Sequence, residues 1–154
     1  MRLIDIGLEG YLVANALRAV VAQRLVRRIC ANCKVAYQPN QQEAIWLQSI
    51  SEKFNVEATP LFHGEGCSHC NDTGYRGRIG VFEYLEIDSV LADALRATDP
   101  LAFEKAARQK NFRTLSESAL ELAGDGVTTI EEVFRISEQL AEESLTTLVA
   151  SEES

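Results

Sequence analysis

Cys30-Ala31-Asn32-Cys33 and Cys67-Ser68-His69-Cys70 are two Cys-x-x-Cys pairs that contain all four cysteines of the chain. Two such pairs can supply four thiolates to one tetrahedral ion, with zinc–sulfur distances of about 2.3 Å. The sequence therefore predicts a closed structural zinc site whose ligands are Cys30, Cys33, Cys67 and Cys70. Four protein ligands leave no coordination position for water, so we expect no Lewis-acid chemistry.

Two histidines lie close to the second cysteine pair, His63 just before it and His69 inside it. Either could replace a cysteine as a ligand, because imidazole also binds zinc. Four cysteines already complete the tetrahedron, however, and we expect both histidines to lie at the surface.

The length of 154 residues suits one ordinary domain, or a small zinc module with a helical extension. No apolar run approaches the roughly 20 residues of a membrane span. Asp5 also interrupts the N-terminal segment where a signal peptide needs apolar residues. We therefore expect a soluble protein of the reducing cytoplasm, where paired cysteines are more often metal ligands than disulfides.

The formal net charge of −8 is unevenly distributed. Residues 116–154 contain ten acidic side chains and one basic side chain, Arg135. This acidic balance argues against a nucleic-acid partner. A basic cluster nevertheless surrounds the cysteines, where cations would offset the charge of four thiolates. Its members are Arg18, Arg24, Arg27, Arg28, Lys34, Arg76 and Arg78.

Apolar spacing predicts the elements that hold the cysteines. From Tyr11 to Ile29 the apolar residues recur at the spacing of one helix face, so we predict a helix that delivers Cys30 to the metal. A short helix over Gln41–Ile50, an extended segment over Pro60–His63 and a strand over Ile79–Leu85 are expected to follow.

The rest of the chain is expected to be helical, beginning near Asp88 to Ala97. Capping signals predict further helix starts at Asp99-Pro100, at the capping box Thr114–Glu117 and at Thr128–Glu131. A stop is predicted at Gly124–Gly126, and the last helix is predicted over Val133–Leu140. The predicted fold class is mainly α with a small β component, in which a zinc-stapled tetracysteine subdomain is followed by a C-terminal helical bundle.

Five stretches of the chain together resemble one protein family. They are Arg2-Leu3-Ile4-Asp5-Ile6-Gly7, Ala22-Gln23-Arg24-Leu25-Val26-Arg27-Arg28-Ile29-Cys30, Gly66-Cys67-Ser68-His69-Cys70, Thr73-Gly74-Tyr75-Arg76-Gly77-Arg78-Ile79-Gly80 and Gly126-Val127-Thr128-Thr129-Ile130-Glu131-Glu132-Val133. In this order they resemble the C-terminal part of the secretion ATPases, the hexameric motors of type II secretion and type IV pilus assembly.

The resemblance implies that the chain is a fragment of a longer motor. The family binds ATP through a Walker A loop, and no Gly-x-x-x-x-Gly-Lys-Ser/Thr occurs in this sequence. The family's Walker B segment and histidine box are absent as well. We expect ATP and Mg²⁺ to bind only in the full-length parent, and this fragment alone to have no catalytic activity.

The resemblance also implies partners. In the family, the tetracysteine subdomain projects from the ATPase core, and the intact protein forms a hexamer on an inner-membrane platform protein. Expected partners are therefore the upstream ATPase core, neighbouring subunits and this pilus or secretion platform, with the protein cytoplasmic and peripheral to the inner membrane. The segment Asp99–Arg108 resembles pilus assembly motors of the mannose-sensitive haemagglutinin (MSHA) branch. Pilus retraction motors generally lack the tetracysteine insertion.

Four segments are expected from this resemblance. They are an N-terminal helix continuing from an absent ATPase core (residues 1–29), the tetracysteine zinc-binding subdomain (30–86), a C-terminal helical subdomain (87–140) and an acidic flexible tail (141–154).

Arg76 and Arg78 allow two interpretations. Within the family, the Gly-Tyr-Arg-Gly-Arg turn could offer an arginine to the phosphates bound by a neighbouring subunit. Alternatively, both side chains act locally, neutralising the thiolates or pairing with Glu83.

Two other functions compete with the motor fragment. A freestanding zinc module for protein or nucleic-acid binding would use the same four cysteines. A thiol oxidoreductase would need one cysteine pair to be exposed, free of metal and low in pKa. Metal analysis discriminates between the oxidoreductase and the other two.

Overall fold

The computed structural model describes residues 2–50, 60–110 and 112–140. Its helices cover more of the chain than its strands, so the predicted class of mainly α with a small β component is confirmed. The elements in chain order are α1 (Arg2–Asp5), α2 (Gly10–Ala16), β1 (Ala19–Ile29), β2 (Lys34–Tyr37), α3 (Gln41–Ile50), β3 (Leu61–Gly64), a 3₁₀ turn (Ser68–Cys70), β4 (Tyr75–Glu86), α4 (Ser89–Arg96), α5 (Pro100–Gln109), α6 (Leu115–Gly124) and α7 (130–140).

The helix predicted from Tyr11 to Ile29 is wrong over most of its length. Helix α2 ends at Ala16, Leu17 is already extended (φ −76°, ψ 122°), and the eleven residues of β1 follow. Strand β1 contains four β-branched residues, Val20, Val21, Val26 and Ile29. Such side chains favour an extended backbone. A strand rather than a helix therefore delivers Cys30.

The helices predicted from capping signals are confirmed. The carboxylate of Asp88 accepts the N–H of Leu91 at the start of α4, and that of Asp99 accepts the N–H of Ala102 at the start of α5. At α6, Thr114 and Glu117 form the predicted reciprocal capping box. The short helix over Gln41–Ile50 is confirmed as well.

Contacts divide the chain into two compact units. Of the described residues, 2–22, 83–110, 112 and 113 form one unit, and 23–50, 60–82 and 114–140 form the other. In the first unit, α2 and α4 bury Val13, Ala14, Ala92 and Leu95 in a small apolar cluster. The second unit has its own buried side chains, among them Val26, Leu47, Leu61, Val81, Leu120 and Val133.

These units differ from the four segments expected from the sequence. Helices α4 and α5 belong to the first unit, whereas α6 and α7 belong to the second. The prediction of one C-terminal helical bundle is therefore not confirmed. The predicted subdomain boundaries at residues 30 and 87 also stay predictions. The predicted acidic tail, residues 141–154, lies outside the described residues.

Two antiparallel strand pairs surround the cysteines. Strand β1 pairs with β4, and at its carboxyl end the N–H of Cys30 is donated to the carbonyl of Gly74 over 2.9 Å. Strand β2 pairs with β3, with Lys34 opposite Gly64 and Tyr37 opposite Leu61. Both cysteine pairs therefore lie where these strands end. Among the described helices, none is long and apolar enough to cross a membrane.

Candidate metal centre

The four cysteine sulfurs form one cluster. All four Sγ atoms lie within 4.8 Å of one another. Three of the sulfur–sulfur distances are 3.9 Å between Cys30 and Cys67, 3.8 Å between Cys33 and Cys70, and 3.7 Å between Cys67 and Cys70. A tetrahedron with zinc–sulfur bonds of about 2.3 Å has sulfur–sulfur edges of about 3.8 Å. The cluster thus has the size that a tetrathiolate zinc ion requires.

A disulfide-bonded arrangement does not fit these distances. A disulfide needs about 2.0 Å between sulfurs, and all four cysteines are free thiols. Within the described residues, no other group of three or more Cys, His, Asp or Glu side chains is close enough to hold a metal ion. His63 and His69 are both exposed and outside the cluster, and the His63 ring contacts Tyr37 edge-on, 5.2 Å between centroids.

Tight turns aim the sulfurs at a common point. In the second pair, Cys70 donates its N–H to the carbonyl of Cys67 over 3.1 Å, and Cys67 donates its N–H to Sγ of Cys70 over 3.2 Å. Asn71 and Asp72 then take left-handed conformations, with φ of 51° and 59°. Asn and Asp tolerate this region better than most side chains. Backbone hydrogen bonds therefore fix the sulfur positions.

The two pairs are tied to each other through Gly74. Its carbonyl accepts the N–H of Cys30, and its backbone passes so close to Gly64 that a Cβ on either glycine would overlap the backbone of the other. Gly64 ends β3, and the next residue, Glu65, donates its N–H to the carbonyl of Cys33 over 3.0 Å. Gly74, which follows the second cysteine pair, therefore contacts both Cys30, directly after β1, and Gly64, the last residue of β3.

The thiols differ in acidity. Burial raises the pKa of Cys33 to about 12, and its sulfur neighbours add to the increase. Burial also acts upward on Cys70, but N–H groups of Cys67 and Gly74 stabilise its thiolate and bring its pKa down to about 7. A metal ion held by this cluster would have to displace the proton of Cys33, so its binding would release protons and tighten as pH rises.

A second polar cluster, which was not predicted from the sequence, lies close to the four cysteines. Arg27 donates its backbone N–H to Oε2 of Glu132 over 2.7 Å and its Nε to Oε1 over 2.8 Å. The guanidinium lies over the ring of Tyr75, 3.9 Å from the centroid. Burial lowers the pKa of Arg27, but the hydrogen bond and charge of Glu132 more than offset this, and the net shift is upward.

A signal for this cluster was present in the sequence. Thr129, Glu132, Val133 and Ile136 share one helix face at the spacing i, i+3, i+4, i+7, and all four are buried. A carboxylate at such a position indicates a buried ion pair, because an unpaired buried charge is costly. Its partner on β1 is 105 residues away and gives no local signal.

Two members of the predicted basic cluster contact side chains other than the cysteines. Arg27 is engaged by Glu132, and Lys34 lies over the ring of Phe62, 4.2 Å from its centroid. Arg76 and Arg78 are exposed on β4. The two interpretations of these last arginines, a contact to a neighbouring subunit or a local role, both stay predictions.

Comparisons with known proteins identify relatives. The family model described as "Type II/IV secretion system protein" matches residues 1–135. The chain is 38% identical over 133 residues to the type IV pilus assembly ATPase PilB of Thermus thermophilus, a match covering 86% of this chain and 15% of the relative. It is 34% identical over 137 residues to the type IV pilus assembly ATPase TfpB of Acinetobacter baylyi, covering 88% and 23%.

A third relative comes from secretion. The chain is 32% identical over 139 residues to the type II secretion system ATPase E of Vibrio cholerae, covering 90% of this chain and 27% of the relative. The chain therefore spans between 15% and 27% of the length of these three relatives.

Proposed function

Because the chain belongs to the type II/IV secretion system protein family, we propose that it is the zinc-binding C-terminal region of a motor ATPase that drives type IV pilus assembly or type II secretion. The observation that carries the metal assignment is the cluster of four thiols, whose sulfur–sulfur edges of 3.7–3.9 Å suit a tetrahedral zinc ion.

The zinc has a structural role in this proposal. Cys30, Cys33, Cys67 and Cys70 occupy all four positions of the tetrahedron and leave none for water or substrate. Strands β2 and β3 have four residues each, and strands this short are only marginally stable without further support. Zinc binding contributes roughly 10–16 kcal/mol in small zinc domains, which is ample to hold this region in one shape.

ATP chemistry belongs elsewhere in the longer protein. The sequence contains no Walker A motif, so we assign ATP and Mg²⁺ binding to the parent, outside this chain, and expect the chain alone to be non-catalytic. The parent acts as a cytoplasmic hexamer, peripheral to the inner membrane, in which this region contacts its own ATPase core, neighbouring subunits and the platform protein.

The arginines of β4 are candidates for a contact between subunits. Arg76 and Arg78 are exposed on either side of Gly77, whose φ is +80°. Guanidinium groups presented in this way could bind the phosphates held by a neighbouring subunit. Pilus assembly of the MSHA type is the preferred branch, on the strength of the segment Asp99–Arg108.

Metal content and thiol titration test the zinc assignment. We expect one zinc per chain in reductant-treated protein, all four thiols protected from a thiol reagent, and loss of that protection after a strong chelator. Metal-free protein with two fast-reacting thiols would overturn the assignment and favour an oxidoreductase.

Replacement of a ligand in the source organism tests the motor. With Cys33→Ser in the encoded full-length protein, we expect fewer surface pili or less secretion, and Ser68→Ala, an exposed position in the second pair, serves as the control. Loss of pili with normal secretion identifies the pilus branch, and the converse identifies type II secretion. Normal pili and normal secretion in the Cys33→Ser strain would contradict the proposed function.

A further inference from the structure

We propose that Glu132 is a positioning residue for the metal ligand Cys30, so that metal binding at the cysteine cluster and docking of α7 stabilise each other. This inference rests on the proposed metal site and concerns a part of the chain, residues 127–140, that contributes no ligand. In this proposal, the segment Gly126–Val133 holds the end of β1 next to Cys30.

The C-terminal segment bonds to the end of β1 as a neighbouring strand would. Ile29 donates its N–H to the carbonyl of Val127 over 2.9 Å, and Thr128 donates its hydroxyl to the carbonyl of Arg27 over 2.7 Å. The N–H of Arg27 is donated to Glu132. The Glu132 carboxylate thus accepts the hydrogen bond that the backbone carbonyl of a neighbouring strand would accept. Cys30 directly follows Ile29, the last β1 residue bonded in this way.

Glu132 cannot make these contacts unless α7 is in place. Its side chain is 3% exposed, and Oε1 accepts a hydrogen bond from Nε of Arg27 over 2.8 Å and forms an ion pair with Nη1 of Arg135 at 3.0 Å. Breaking a buried pair by removing one partner is strongly unfavourable, because the remaining charge is left uncompensated. Displacement of α7 therefore releases β1 at the residues that immediately precede Cys30.

Tyr75 connects the second cysteine pair to the same segment. It follows Gly74, whose carbonyl accepts the N–H of Cys30. Its hydroxyl lies 3.0 Å from Oγ1 of Thr129 and donates to Glu131 over 3.0 Å, while its ring lies against Arg27. The residues that contact the first turn of α7 are therefore Arg27, three residues before Cys30, and Tyr75, five residues after Cys70.

These shared contacts imply reciprocal coupling. A metal ion fixes Cys30 and the backbone of Gly74, and so fixes the surface on which Glu132 and Tyr75 bind. If docking of α7 increases the metal affinity by some factor, bound metal must increase the equilibrium constant for docking of α7 by the same factor. Residues that orient metal ligands typically change metal affinity by about 10–100-fold when replaced, and we expect about tenfold for Glu132.

Cobalt titration of the whole 154-residue chain measures one direction of the coupling. Co²⁺ in a tetrathiolate site gives a characteristic visible absorption, and competition with a chelator gives its affinity. We expect Glu132→Gln to weaken Co²⁺ binding about tenfold and Tyr75→Phe to weaken it by a smaller factor. Glu138→Gln, exposed on the same helix, and Thr114→Ala, which removes a cap on α6 outside this network, should leave the affinity unchanged.

Hydrogen exchange measures the other direction. Metal loading should slow exchange of residues 127–140 in the wild-type chain and in Glu138→Gln, and should do so less in Glu132→Gln. Equal exchange with and without metal in the wild type, alongside tight metal binding, would overturn the coupling and leave the metal site intact. Equal Co²⁺ affinities in wild type, Glu132→Gln and Tyr75→Phe would overturn it as well. A wild-type chain that binds no metal would overturn both the coupling and the proposed site.

Discussion

Replacement of Gly74 by alanine tests the geometry that joins the two cysteine pairs. Gly74 has φ of +74°, and a Cβ there would overlap the carbonyl oxygen of Gly64. Its own carbonyl accepts the N–H of Cys30 over 2.9 Å. The added methyl group must therefore move either the end of β3 or the residue that carries the first metal ligand.

The expected loss has two parts. An alanine in the left-handed region costs about 1–2 kcal/mol, and forcing extra volume into a close-packed site adds about 1–3 kcal/mol. Gly74→Ala should therefore lower the free energy of unfolding by about 2–5 kcal/mol. Gly77→Ala is a matched control, since Gly77 has φ of +80° and a Cβ there would meet no heavy atom within 4 Å. Only the backbone part, about 1–2 kcal/mol, applies to it.

Urea unfolding of the metal-loaded chain measures both variants under the same conditions. We expect Gly74→Ala to lose at least about 1 kcal/mol more than Gly77→Ala, and to bind Co²⁺ more weakly, because Cys30 is displaced. Equal losses in the two variants would refute the steric crossing at Gly64, since backbone strain alone would then account for both.

Two further predictions concern the helices outside the metal centre. Thr114→Ala removes the side chain that accepts the N–H of Glu117 over 3.2 Å and should lower the free energy of unfolding by about 1 kcal/mol in urea unfolding; an unchanged midpoint would contradict the capping role. The hydrogen bond from the N–H of Leu91, followed by the contact with Lys110, lowers the pKa of Asp88 below its ordinary value. Its stabilising contribution is therefore present above the unfolded-state pKa and is lost as pH falls through the lower folded-state pKa. Urea unfolding between neutral and acidic pH should show a smaller loss of stability for Asp88→Asn than for the wild type, and parallel profiles would contradict this.

Local chemistry explains which elements were predictable. An N-cap acts within three residues, so Asp88, Asp99 and Thr114 determined the starts of α4, α5 and α6 from the sequence. The clustering of the four cysteine sulfurs was predictable in part for a similar reason, because each Cys-x-x-Cys pair places two sulfurs on one tight turn. The fold brings the two turns together, with all four sulfurs within 4.8 Å of one another. That these cysteines bind zinc stays a prediction.

The errors and omissions involve contacts made over long distances in the chain. Apolar residues between Tyr11 and Ile29 fit a helix face, yet pairing of β1 with β4, more than forty residues further on, determines the extended structure. Tertiary pairing of this kind overrides a local pattern. Glu132 shows the same limit, since its partner Arg27 lies 105 residues away. Glu132 lies just before the predicted last helix, Val133–Leu140, and no residue near it in the sequence indicates its partner.

The cysteine cluster lies at the end of β1, and the C-terminal segment is bonded along one edge of this strand. Strand β4 bonds one edge of β1, and Val127, Thr128 and Glu132 bond the other edge at Arg27 and Ile29. An open strand edge is prone to pair with another chain. Because the same backbone carries Cys30, loss of metal frees the end of the strand, and loss of the Glu132 contact exposes its edge. Metal removal and Glu132→Gln should therefore share one phenotype, increased self-association through β1, whereas Glu138→Gln should leave the chain unassociated under the same conditions.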